Sequence, residues 1–268
     1  MDSVVQTEGR GPLMLAFPHS GTLLPPGLFS RLNTLGQRLG DTDWYLDPLF
    51  AGLVPDAGTL KASFHRYAID LNRDPADLSL YPGQNTTGLM PLTDYDGRPI
   101  WIAGGEPTDA ERHARLDQFH APYHVALTRM LARIRERHGV AILVDCHSIR
   151  RTVPYLFEGD LPDISLGTFD GKSVHPRLRA ALEDRLSTQS EFSFVLDGRF
   201  KGGWTTRHYG QPDHGVHAFQ IELCQDLYCT ETPDSAAPQM GAPRLEALRT
   251  LLADLLALAS ELAPWLKP

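Results

Sequence analysis

Cysteine is scarce in this chain: 268 residues carry only Cys146, Cys224 and Cys229, an odd number with no paired framework. That scarcity argues against a disulfide-stapled module and for reduced thiols in a cytoplasmic protein. No apolar run approaches the roughly 20 residues needed to span a bilayer. Met1 to Gly11 lacks the basic start and apolar core of an export signal. Positive charge is also short, since 25 Lys and Arg face 33 Asp and Glu for a net charge of −8. A chain of that sign repels phosphate backbones and anionic lipid, so neither nucleic acid nor membrane is expected as a partner. A local arginine cluster can still capture a small acidic metabolite. Low-complexity tracts are missing too, so the 21 prolines read as sharply turned, ordered connections.

What is present suits one α/β domain over residues 1–268, long enough to bury a large core. Leu13–Phe17, Val140–Val144 and Val216–Leu223 read as buried strands. Residues 58–71, 153–157 and 192–196 read as further strands. The clearest helix starts at a Thr108 or Asp109 cap and runs to about His138. Leu116, Phe119, Tyr123, Leu127, Met130 and Ile134 form its apolar stripe. Pro122 should kink or divide it, and Gly139 suits its C-terminal cap. Helices are also expected over 26–37, after an Asp41 or Thr42 cap with Trp44, Leu46, Leu49 and Phe50 inward, over 173–189 and over 243–263. Residues 74–107, rich in Pro, Gly, Thr and Asp, are long for a loop and read as an ordered flap. Residues 197–214 read as another charged, Gly-rich loop.

Three apolar runs end in, or continue into, residues that carry chemistry. Pro18-His19-Ser20-Gly21 follows the first run, Asp145-Cys146-His147-Ser148 the second, and Gln220-Ile221-Glu222-Leu223 closes the third. Strand ends are where open α/β sheets keep their binding crevice. Imidazole is a common ligand for zinc and similar ions, so His19 and His147 together are candidate metal ligands, although either alone is more readily structural. A carboxylate is the usual third ligand. Asp43 is the first candidate and Asp41 the second, against the plainer reading that both decorate a helix N-terminus. Such a set accepts zinc, cobalt, manganese or iron. Glu222 lies between Ile221 and Leu223, where a lone carboxylate is costly to bury, so it needs a partner or a task. General base is the task that fits. Asn72-Arg73 offers an amide and a planar guanidinium suited to a carboxylate, unless Arg73 merely satisfies Asp70 or Asp74. The segment from Lys201 through Arg207 to Gly210 is a second cationic, substrate-facing candidate. Arg150, Arg151, Arg66 and His65 are weaker ones. Cys146 beside His147 reads as packing rather than as a nucleophile.

Eight segments in order, PHSG at 18–21, DTDW at 41–44, IDLNRDP at 69–75, SLYPGQNTTGL at 79–89, DCHSI at 145–149, LGTFDGKS at 166–173, FKGGWTTRHYGQP at 200–212 and HAFQIELCQDLY at 217–228, resemble the N-formylglutamate amidohydrolase family. Any one is weak; the ordered set is specific. The resemblance implies a three-layer αβα sandwich with a mixed central sheet, similar to zinc carboxypeptidases and aspartoacylases. It implies metal-dependent hydrolysis of N-formyl-L-glutamate to formate and L-glutamate, a step of histidine degradation. It further implies His19 and His147 as ligands, Glu222 as general base and Asn72-Arg73 as the carboxylate clamp. Arg66 is then a candidate for stabilising the oxyanion, and Arg207 for a second carboxylate, with Lys201 and Arg150 nearby. The wider group often keeps an acid three residues after its first histidine, where this chain has Thr22, so the acidic ligand has to come from elsewhere. Two rival readings are a related amidohydrolase for another N-acyl acidic amino acid or small acidic peptide, and a non-catalytic binder of acidic amino acids. Oligomeric state is not legible in the sequence.

Overall fold

Four parallel strands make the centre of the sheet in the computed structural model, which describes residues 2–230 and 237–268. They are β2 (Leu13–Phe17), β3 (Gly58–Ala62), β4 (Ala141–Ile149) and β7 (Val216–Cys224), side by side in the order β3-β2-β4-β7. β1 (Val4–Thr7) adds antiparallel to β3 at one edge. At the other, β5 (Ile164–Gly167) runs antiparallel to β7, and β6 (Phe194–Leu196) lies parallel to β5. The sheet is therefore mixed. A separate two-stranded ribbon pairs β8 (Cys229–Thr230) with β9 (Gln239–Met240).

Every residue of β2 and β4 is buried, as expected for strands with helices on both faces. Alternation divides their side chains between two cores. Met14, Ala16 and Leu143 meet Tyr123, Leu127, Met130 and Ile134 of α3 (Ala121–His138). Leu13, Leu15, Ile142 and Val144 face the opposite layer, built by α1 (Leu46–Phe50), α4 (Pro176–Ser187) and α6 (Leu245–Leu262). This is the three-layer sandwich. No helix among the described residues is long and apolar enough to cross a membrane.

The long helix divides where Pro122 stands. α2 (Asp109–Arg115) opens on a full capping box, with Thr108 and Glu111 satisfying each other's backbone N–H. A π-turn over Leu116–His120 then precedes α3, which carries Pro122 in its first turn, where a missing N–H costs nothing. Gly139 closes α3 in the left-handed region at φ +76°.

Several expected elements differ. Residues 26–37 form two 3₁₀ turns, Phe29–Arg31 and Gly36–Arg38, because Leu32 is extended and Asn33 Oδ1 takes the Gly36 N–H. α1 starts at Leu46 after a left-handed Tyr45, with no side-chain cap. Asp41 instead accepts from Tyr67 Oη at 2.9 Å, and Thr42 donates to Leu39 O. The strand expected over 58–71 stops at Ala62, and residues 63–73 continue as a buried irregular segment. Residues 153–157 turn rather than pair, with Leu156 N and Phe157 N both donating to Val153 O. The fifth strand is Ile164–Gly167 instead. The loop over 197–214 contains the short α5 (Trp204–Tyr209).

Candidate active site

Register along the sheet assembles the site. β4 and β7 run parallel with Asp145 beside Gln220 and His147 beside Glu222, so all four side chains share one face near the strand ends. His19 follows β2 by two residues. Asp43 is tied to it directly, since its backbone N–H donates to His19 O at 3.1 Å.

The two imidazoles face one another. His19 Nδ1 and His147 Nδ1 are 3.1 Å apart, and Asp43 Oδ2 lies 3.2 Å from the latter and 3.8 Å from the former. Their far nitrogens each meet an aspartate: His19 Nε2 lies 2.7 Å from Asp70 Oδ1, and His147 Nε2 lies 3.0 Å from Asp145 Oδ1. A carboxylate at Nε2 draws the ring proton there and leaves the lone pair on Nδ1. Two such lone pairs at this separation repel unless positive charge lies between them. His147 expresses the same demand as proton affinity. Burial opposes its charge, but Asp145 and Asp43 overcome burial and hold its pKa well above 6.5. His19 goes the other way, pushed down to about 4 chiefly by burial and then by Arg66.

These residues fit a metal ion. One ligand atom each from His19, Asp43 and His147 lies within 4.8 Å of the others. Two nitrogens bound tetrahedrally at zinc-like distances stand about 3.3 Å apart, close to the separation seen here. Asp41, the alternative ligand, is spent on Tyr67 and on the Tyr95 N–H at 3.1 Å.

Glu222 stands beside this triad. Burial, with Asp43 adding to it and His147 opposing, pushes its carboxyl up to about 7. Gln220 Nε2 donates to its Oε2 at 2.8 Å and fixes its orientation. Arg66 is almost fully buried; its Nη2 pairs with Asp70 Oδ2, its Nη1 bonds Tyr95 Oη, and its Nε has no hydrogen-bond partner among the described residues. Asp70 is thereby a hub. Burial works against its charge, but Arg66, His19 and Arg73 outweigh it and keep the carboxylate well below the usual range.

A cavity of about 270 Å³ opens over these groups. His19, Asp43, Arg66, Asn72, Arg73, His147 and Glu222 all line it. Asn72 presents little to it, because its Oδ1 accepts from Thr205 N at 2.8 Å and its Nδ2 faces Asp145 and His147. Arg73 keeps Asp70 at a longer 3.8 Å and donates to Thr87 O and Oγ1. The carbonyls on either side of Asn72 are held from the helical layer, Leu71 O by His124 Nε2 and Arg73 O by His120 Nε2. Residues 77–81 and 85–88 of the expected flap also line the cavity.

Three expected substrate contacts do not. Arg207 donates to Gly202 O and Leu80 O and lies between the Tyr81 and Phe169 rings, so it clamps the flap from behind. Lys201 Nζ bonds the exposed Asp170, and Arg150 bonds Asp96, both outside the cavity. Among the weaker candidates, Arg151 pairs with Asp163 and Asp226, and His65 is buried against Tyr67. Sequence reasoning missed Gln220, Tyr95 and Arg199 as lining residues. Gln220 was accessible by strand alternation with Glu222. Nothing in the pattern singles out the other two. Cys146 is fully buried, and burial pushes its thiol well above 9, which disfavours the thiolate a nucleophile needs.

Paired histidines at parallel strand ends, facing an acid whose pKa is raised toward neutrality, are the equipment of a hydrolase, and the class is that of the amidohydrolases. The chain belongs to the N-formylglutamate amidohydrolase family, whose model matches residues 11–229. It is 42% identical over 265 residues to the N-formylglutamate deformylase of Pseudomonas putida, covering 97% of this chain and 98% of that one. The N-formylglutamate deformylase of Pseudomonas aeruginosa is 43% identical over 258 residues, covering 96% of each. Among solved structures, N-formylglutamate amidohydrolase from Ralstonia eutropha JMP134 superposes with a TM-score of 0.77 at 26% identity, covering 99% of this chain and 98% of that one.

Proposed function

We propose that this protein hydrolyses N-formyl-L-glutamate to formate and L-glutamate, a step of histidine degradation, with a divalent ion, zinc first, held by His19, Asp43 and His147. The observation that carries the reading is the facing pair of Nδ1 atoms beside Glu222 and Arg73 in one cavity. Family membership and two deformylase relatives above 40% identity support the substrate.

When bound, such an ion is a Lewis acid that acidifies water and polarises a carbonyl. Arg73 binds a substrate carboxylate, and the cavity wall around it sets the direction of the acyl group. Glu222 takes a proton from the attacking water, which adds to the formyl carbon. Arg66, buried and charged, stabilises the oxygen that gains negative charge in the tetrahedral intermediate. Glu222 then hands its proton to the departing nitrogen as the C–N bond breaks. A carboxyl held near neutrality suits both transfers. Asn72 supports the site by orienting His147 and Asp145.

The test is formate release from N-formyl-L-glutamate by protein whose metal content is known, beside N-acetyl- and N-succinyl-L-glutamate. Rapid turnover of the formyl substrate, abolished by chelation and restored by zinc, is expected. Turnover of the acetyl or succinyl compound alone would shift the acyl assignment. Glutamate binding with no metal and no turnover would make the protein a binder instead.

A further inference from the structure

One arginine in the cavity has no acid of its own. Arg199 follows β6, is half-buried and lines the cavity wall. Its Nε donates to Leu156 O and its Nη2 to Asn85 O, both at 3.1 Å. Its guanidinium lies over the Tyr81 and Phe200 rings, 5.0 and 5.5 Å from their centroids. These contacts fix its plane and leave Nη1 without a hydrogen bond among the described residues. No carboxylate among the described residues lies within the 4.0 Å limit of an ion pair with it. The other two arginines lining the cavity, Arg66 and Arg73, both share Asp70.

Removing a cation partly from water without a counter-charge is unfavourable, and a chain of net charge −8 has acids to spare. Burial disfavours the charged form of Arg199 first, Tyr81 works against that, the nearby charge of Arg73 disfavours it further, and Glu222, beyond ion-pair distance, offsets only part of this. The wall therefore carries positive charge that an incoming anion would relieve. Nη1 and the free hydrogen of Nη2 form a flat edge suited to a carboxylate. Arg207, the sequence candidate for this role, faces away from the cavity behind Tyr81.

We propose that Arg199 is the specificity residue for the side-chain carboxylate of the substrate, with Arg73 taking the α-carboxylate. The assignment rests on the proposed function and deepens it: the preferred substrates are N-formyl amino acids with two carboxylates. N-formyl-L-glutamine has the same shape without that negative charge, so it isolates the contact.

The experiment compares kcat and KM for both substrates in the wild type, Arg199→Met and Arg199→Lys. Expected is a wild-type preference for the glutamate substrate of about 100-fold in kcat/KM, the range of a charge-assisted contact. Arg199→Met should erase it, mainly by raising KM for N-formyl-L-glutamate, with kcat within a few-fold and the glutamine substrate unaffected. Arg199→Lys should recover part of the KM. An unchanged KM for the glutamate substrate, or equal losses on both substrates, would overturn the assignment while leaving the deformylase reading intact. A wild type that releases no formate from N-formyl-L-glutamate would instead overturn that reading.

Discussion

His19 Nε2 and His147 Nε2 each lie within 3.0 Å of a different buried aspartate, Asp70 and Asp145, while their Nδ1 atoms stand 3.1 Å apart. Asp70 and Asp145 are therefore expected to set metal affinity without touching the metal. Asp70→Asn and Asp145→Asn should each weaken binding by about 10- to 100-fold, the usual effect of losing a ligand's outer partner. Competition with a calibrated chelator measures this. Unchanged affinity in both variants would show that the imidazoles orient themselves.

Glu222→Gln keeps the size of the side chain and a contact with Gln220 but removes the base. A fall in kcat of roughly 10²- to 10⁴-fold is expected, with the metal stoichiometry of the wild type. Near-full activity would remove Glu222 from the mechanism.

Cys146 lies beside His147 in sequence but points into the core on the other face of β4. Cys146→Ala should retain kcat within a few-fold and lose about 1 kcal/mol of stability from the deleted buried atom. Loss of activity in a folded variant would reopen a thiol mechanism.

Asp163 supplies a pH test away from the cavity. It is buried, which opposes its charge, yet Arg151, Ser193 and Arg244 lower its pKa from 3.8 to about 2. A depressed acid stabilises the fold fully above its unfolded pKa and loses that contribution as pH falls toward the folded value. Asp163→Asn should thus cost about 2 kcal/mol near pH 6. The gap from wild type should narrow from pH 5 to pH 3 in urea denaturation. A gap constant over that range would mean that Asp163 acts by shape rather than charge.

Much of this architecture is readable from residue order because burial is simple chemistry. β2 and the first half of β4 are continuous apolar runs, β7 alternates in part, and helix 109–138 declares itself by a cap residue, a stripe and a terminal glycine. The approach of His19 and His147 was also foreseeable from polar residues placed where those runs end, whereas Asp43 was only the first of two acidic candidates beside Asp41. Residues 63–73 were not foreseeable, because Asp70 draws His19, Arg66, Arg73 and the Asn72 N–H together and holds the chain out of the strand that its apolar residues suggest. Arg207 and Lys201 fall outside the cavity, and Arg199 lines it, for a related reason. Which of them meets the cavity depends on how the segment turns after β6 and on what Tyr81 and Phe169 enclose, and neither leaves a periodic trace.

The amide-to-carbonyl link between Asp43 and His19 makes histidine and acid a single mechanical unit. Distance along the chain then matters little for that pair, because the backbone bond itself holds the acid beside the histidine. Searches that count a fixed interval after the histidine, and stop at Thr22, will pass over proteins wired in this way.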